Sequence, residues 1–254
     1  MKRLWLFAAT AALVFTGCDP YAKLMKEQGY TIVNVPRSKF GTGTILKFQG
    51  TRNELFVGTP EQCFPGIEKE LVQQEVVLKN SVRTVSFDLS VGAKYVPIPA
   101  TELGATFGFK TVKKLTVSFG EAKADEMTLV TLGKFLEDRK VSRTCLAFLK
   151  DVENRLLVSA VKVAEMKYKL EGEKQVGGKL DAEALGKTLK ANGVVNFKTG
   201  VDDSFSVSQP MYIAYKAVKF VDAGIPILEV GGAVQLTKGL FRLEPEPVLV
   251  RRGP

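Results

Sequence analysis

Three thiols and no imidazole limit what this chain can do by chemistry: its 254 residues contain Cys18, Cys63 and Cys145 and not one histidine. Without histidine there is no Ser-His-Asp or Cys-His pair, no His-ligated zinc and no imidazole general base, which removes most hydrolases. Carboxylates are the remaining acid and base candidates. Asp202-Asp203 and Glu68/Glu70 read as turn and surface residues instead of a catalytic pair. Leu185-Gly186-Lys187-Thr188 ends like a phosphate-binding loop, but the first glycine of the G-x-x-x-x-G-K-T pattern falls on Asp181. Asp181 is better read as the N-cap of a helix, with Ala182, Leu185 and Leu189 at helical spacing and Asn192-Gly193 as its stop. No catalytic, cofactor-binding or metal-binding residue is expected, and the chain reads as a non-enzyme.

Cys18 stands in a context of its own. Lys2 and Arg3 precede an apolar run from Leu4 to Phe15 that is too short to span a bilayer, and small residues follow, in the order of an export signal. The closing residues Phe15-Thr16-Gly17-Cys18 resemble the lipobox of bacterial lipoproteins, with Phe15 where Leu is usual. That resemblance implies cleavage after Gly17, acyl chains such as palmitate on Cys18, and stable attachment to membrane lipid. The alternative is an ordinary secretory signal with an incidental cysteine. Asp19, directly after the acylated position, resembles the enterobacterial signal that keeps a lipoprotein at the inner membrane, so the periplasmic face of that membrane is favoured over the outer membrane.

With Cys18 set apart, Cys63 and Cys145 form an even pair 82 positions apart in an oxidising compartment. Sequence leaves open whether they are bridged or separately buried. Removing residues 1–17 leaves 237 residues, ample for one sizeable core, and lowers the formal charge from +9 to +7 as Lys2 and Arg3 leave. The basic residues are scattered, consistent with either a mild attraction to anionic headgroups or an ordinary solvated surface. Nucleic acid is not an expected partner of an exported chain without a binding motif.

The elements that must position these residues read as follows. Tyr21–Gln28 is a short helix ended by Gly29, and Thr31–Val35, Thr44–Phe48 and Leu55–Val57 are strands. Pro65–Gln74 is expected to be helical, with Pro65 at a first helical position. Strands are expected around Val82–Leu89, Ala105–Phe109 and Leu115–Phe119, then a helix over Thr128–Leu136. A β-rich region follows: Leu156–Val161, Lys167–Leu170, Val194–Phe197, Phe205–Val207 and Met211–Phe220, around the Asp181 helix. In the last strand strict alternation puts Met211, Ile213, Tyr215, Ala217 and Lys219 on one face and Tyr212, Ala214, Lys216, Val218 and Phe220 on the other. The organisation is a signal peptide over 1–17, an anchor and short helix over 18–30, one α+β ectodomain over 31–244, and an extended tail over 245–254.

The order of these elements, with YAKLMKEQGY followed by TIVNVP and later NRLLVSAVKVAEMKYKL, DAEALGKTLK and QPMYIAYKAVKF, resembles the bacterial gasdermin pore-forming domain over residues 21–221. The resemblance implies a mixed, mainly antiparallel twisted sheet with a few short helices. It further implies strands that lengthen into hairpins, insert into a bilayer and assemble as a ring once an inhibitory C-terminal peptide is released. Two features depart from that family. Its members work in the cytosol and are acylated near the N-terminus without export, and the segment GIPILEVGGAVQLTKGLFRLE looks like another hairpin of the fold instead of a removable peptide.

The function expected is that of a lipid-anchored envelope module, structural or binding, whose partner is membrane lipid through Cys18 and an envelope protein or another copy of itself. The alternative is a membrane-inserting pore former. For that, Val82–Ser90, Ala105–Phe119 and Leu156–Leu170 must turn an apolar band to lipid while Lys110, Lys113, Lys114, Lys162, Lys167 and Lys169 face the lumen or the interfaces.

Overall fold

The computed structural model describes residues 19–49, 53–92, 95–98, 100–138, 140–151, 153–221, 225–230 and 233–236. The signal segment 1–17, Cys18 and the tail over 245–254 lie outside them. In chain order the described residues form α1 (Pro20–Glu27), β1 (Thr31–Arg37), β2 (Ile45–Gln49), β3 (Asn53–Gly58), α2 (Pro60–Cys63), β4 (Val72–Glu75), α3 (Asn80–Arg83) and β5 (Thr84–Asp88). There follow α4 (Leu89–Gly92), α5 (Ala100–Thr106), β6 (Phe109–Phe119), β7 (Ala122–Glu126), α6 (Leu129–Glu137), α7 (Arg143–Lys150), β8 (Asn154–Val163) and β9 (Met166–Lys174). The last are α8 (Ala182–Ala191), β10 (Phe197–Thr199), β11 (Ser204–Val207), β12 (Met211–Val221), β13 (Ile225–Val230) and β14 (Ala233–Leu236).

Two antiparallel sheets make an α+β architecture. The larger is built on β8 and β12, which pair along most of their length with irregular register between Tyr212 and Ala214 and between Lys216 and Ala217. Each also divides its outer edge between two neighbours: β8 gives Asn154–Leu156 to β2 and Ser159–Val163 to β7, while β12 pairs first with β1 and then, over Ala217–Val221, with β13. The hairpin anticipated after Phe220 is thus seen as β13 and β14, laid on β12. The smaller sheet has the order β10-β11-β9-β6-β5.

Three clusters of buried side chains fill the spaces. One lies on the inner face of the smaller sheet and gathers residues of α1, α5 and α8 together with Val161, Val163, Met211 and Ile213. A second sits under α6 and α7 with Leu156, Val158, Val218 and Phe220; a third, with Leu157, Tyr215 and Ala217, covers the opposite face of the larger sheet. Being covered on both sides, β8 and β12 are apolar nearly throughout, and the bulges displace side chains from strict alternation: Ile213 and Ala214, neighbours in sequence, both reach the first cluster.

Four segments depart from the sequence reading. Residues 65–74 do not form an α-helix but keep only a 3-10 turn at Ile67–Lys69, because Gly66 at φ 81° interrupts the chain just after Pro65. Thr59 and Pro60 start α2 instead through a capping box with Gln62, and Val72–Glu75 becomes a strand by pairing with β7. Ala105 and Thr106 end α5, Gly108 turns at φ 66°, and the strand begins only at Phe109. Val82 and Leu89 lie in the helical turns α3 and α4 that bracket β5, and Val194–Asn196 precede β10 instead of forming a strand.

Candidate functional site

Asp19 opens the described chain as the N-cap of α1. One carboxylate oxygen accepts the Ala22 N–H at 3.0 Å, the other accepts the Tyr95 hydroxyl, and Pro20 occupies the first turn, where its missing N–H costs nothing. The helix ends with the Tyr30 N–H on the Met25 carbonyl at 2.8 Å, a Schellman closure. Between these ends Tyr21 and Met25 are fully buried. The Tyr21 ring stacks on Phe119 at 5.1 Å and meets Tyr95 edge-on at 5.4 Å, while its hydroxyl donates to the Ile213 carbonyl at 3.0 Å. Burial holds both tyrosine hydroxyls well above their ordinary pKa, and the Asp19 carboxylate reinforces the shift at Tyr95. Asp19, which the sequence offered as a sorting residue, is therefore held by the folded body.

Cys63 and Cys145 form a disulfide, with Cα atoms 5.4 Å apart, that ties the end of α2 to the first turn of α7 inside the second cluster. Ser142 caps α7 on the Cys145 N–H at 3.2 Å. Gly58 makes room for the bridge, since a Cβ there would lie 2.4 Å from the Cys63 sulfur. Helix α7 was not anticipated, although Ser142 followed by Cys145, Leu146 and Leu149 carries its cap and apolar stripe.

Of the segments that could alternate between lipid and water, β8 with its 10 residues is covered on both faces, which leaves β6 and β9. They pair from Phe109 opposite Lys174 to Phe119 opposite Met166. Leu115, Val117, Phe119, Met166, Tyr168 and Leu170 point inward and are buried, whereas Lys110, Lys113, Lys114, Lys167 and Lys169 are exposed. Lys162 belongs to β8 in the other sheet and bonds the buried Asp125 at 2.6 Å, with Gln73 on the second Asp125 oxygen at 3.1 Å. Asp125 lies on β7, a charged segment with no strand signature that is recruited by its neighbours β4 and β8.

The carboxylates weighed as acid and base candidates sit apart from any such centre. Glu68 and Glu70 are exposed beside a 3-10 turn, and Asp202 and Asp203 form a turn at φ 57° in which Asp203 bonds Lys174. The Lys187 of the decoy motif pairs with Glu183 at 2.7 Å on the surface of α8, below its Asp181 cap.

Comparison with known proteins completes the picture. The model of the bacterial gasdermin family matches residues 33–224, that is, most of β1 through the end of β12, without α1, β13 or β14. Among solved structures, the chain resembles a bacterial gasdermin from Bradyrhizobium tropiciagri with a TM-score of 0.45 and 11% identity, over 85% of this chain and 90% of that one. No curated protein matches it. With three quarters of its length inside the family match, the chain is a member of the bacterial gasdermin family.

Proposed function

We propose that the mature chain is an exported, lipid-anchored gasdermin that permeabilises membranes without catalysis. The observation that carries the reading is the β6–β9 pair, two antiparallel strands of 11 and 9 residues with one buried apolar face and one exposed polar face. That is the length a membrane-crossing strand needs, and the alternation it needs holds over Leu115–Phe119 and Met166–Leu170. Lys110, Lys113, Lys114, Lys167 and Lys169 are exposed, where insertion leaves them in water, whereas Lys174 lies at the strand end over the ring of Phe109. Helices α1, α5 and α8 cover the apolar side, so insertion requires them to move away. The Cys63–Cys145 bridge supports export, because such bonds persist in oxidising compartments, and Cys18 supplies the acyl site.

A structural or binding module of the envelope is the second reading. It is favoured by β8, which is buried on both faces and cannot serve as a lipid-facing strand without unpacking three clusters. Dye release from liposomes by the purified protein, intact and trimmed after residue 221, separates the two. Release by either form supports the pore, and none from both leaves the module. Fatty-acid labelling of wild type but not of Cys18→Ala is expected, and equal labelling would remove the anchor.

A further inference from the structure

The outer face of the smaller sheet is divided by charge. Reading across the strands, Lys198, Ser206, Lys167, Ser118 and Thr84 form one row, and Ser204, Lys169, Thr116 and Ser86 the next. The row after these brings Glu171, Lys114 and Asp88 together. From that row onward Lys114 meets Glu171 at 3.3 Å and Lys110 meets Glu173 at 3.8 Å, Lys113 has no carboxylate within 4 Å among the described residues, and Lys174, opposite the buried Phe109, meets Asp203. In the first two rows the pattern changes. Lys167 reaches Glu165 at 3.5 Å, beyond the strand end, and Lys169 and Lys198 have no carboxylate within 4 Å among the described residues.

Apart from Ser86, these two rows line an open depression of about 500 Å³, the size of a small-molecule site, whose walls contain three lysines, six Ser/Thr side chains, Tyr168 and no carboxylate. The hydroxyls are ordered before any ligand arrives: Thr84 bonds Ser118 at 2.9 Å and Ser86 bonds Thr116 at 2.8 Å. Each such pair spends one O–H and keeps one donor. Lys167 and Lys169 project from the same face about 7 Å apart, and Lys198 lies two strands from Lys167, about 10 Å away. Three cations at that spacing repel one another unless an anion lies between them.

We propose that this depression binds a phosphate-bearing, hydroxyl-rich ligand, with Lys167, Lys169 and Lys198 on the phosphate and the Ser/Thr ladder on the hydroxyls. Lysine serves as a point charge for phosphate, and the hydroxyl ladder favours a sugar phosphate over a bare apolar anion. The ligand is either a soluble sugar phosphate or the phosphorylated headgroup of a lipid.

Calorimetry on the full chain in nonionic detergent, titrated with glucose 6-phosphate and with glucose, tests the site. Saturable binding of the phosphate ester that weakens with salt, and none of glucose, is expected. The double variant Lys169→Gln/Lys198→Gln should weaken it tenfold or more, and Lys114→Gln, in the paired half, less than twofold. Flotation with phosphatidylcholine vesicles, with and without phosphatidylinositol phosphate, supplies the other arm. Binding in the first arm alone assigns a soluble ligand, and a lysine-dependent preference for the phosphorylated vesicles assigns a headgroup. Absence of both, or equal loss from Lys114→Gln in variants whose melting is unchanged, overturns the proposal. Neither arm depends on dye release, so the site and the pore stand or fall separately.

Discussion

Asp19 serves two partners at once, accepting the Ala22 N–H with one carboxylate oxygen and the Tyr95 hydroxyl with the other. Its place after Cys18 suggested a signal for another machine, and its place before Pro20 is also that of a helix cap, a role visible in the sequence by the preference for Asp at that position. Its second partner, Tyr95, lies 76 residues away and was not visible, because such a contact exists only once the segment after α4 shares a core with α1. Asp19→Ala should remove the cap and leave the Tyr95 hydroxyl without its acceptor, a loss of about 2 kcal/mol. Thermal unfolding followed by circular dichroism should then fall by roughly 4–8 °C. Tyr95→Phe keeps the cap and should cost about half as much. An Asp19→Ala protein melting with wild type would show that the clamp contributes nothing.

Two glycines in left-handed conformation account for two of the segments that the sequence misassigned, 65–74 and Ala105–Phe109. At Gly108 (φ 66°) an added Cβ would also lie 2.7 Å from the backbone of Gly178 and Lys179, while at Gly66 (φ 81°) it would meet nothing within 4 Å. Gly108→Ala should therefore lose more than about 2 kcal/mol, from strain and collision together, and Gly66→Ala about 1 kcal/mol, from strain alone. Urea midpoints of the two variants measure the difference, and equal midpoints would refute it. Elements with local signals were legible: the Asp181 cap, the helix over Thr128–Leu136 with Asp125 or Thr128 as its cap (Thr128 in the structure), the α1 stop at Gly29, and the long strand from Met211. Those decided by distant partners were not. Val72–Glu75 is fully exposed and becomes a strand only against β7, and β7 itself, with Lys123, Asp125 and Glu126, is a strand because β8 offers it an edge. Of the site, the thiols could be named, but neither the Gly58 space beside the bridge nor the charge division of the smaller sheet has a one-dimensional signature.

Across the whole molecule, buried phenols couple the fold to alkali. Tyr21, Tyr95 and Tyr168 are held above their ordinary pKa chiefly by burial, and Tyr212 is pushed up to about 12 for the same reason. Since folding raises these values, the native state keeps protons that the unfolded chain releases near pH 10. Their contribution is complete below pH 10 and is lost as pH rises through the folded values, by about 1.4 kcal/mol per pH unit for each phenol. Stability should hold steady from pH 7 to 9 and fall steeply between 10 and 12. Phenolate absorbance near 295 nm should rise together with the loss of native circular dichroism, and phenolate appearing while the fold remains intact would contradict the assignment.

The clamp at Asp19 also fixes a length. A flexible tether of n residues lets a domain wander roughly 5–6 Å times the square root of n from its anchor, and lipoproteins with long leaders sweep out a wide dome. Here Tyr21 is already fully buried and α1 has already begun, so a chain acylated at Cys18 would have almost no leash. Its body would ride at a constant height on the bilayer, free to turn and drift in the plane but unable to lean away, and every encounter it makes would be two-dimensional.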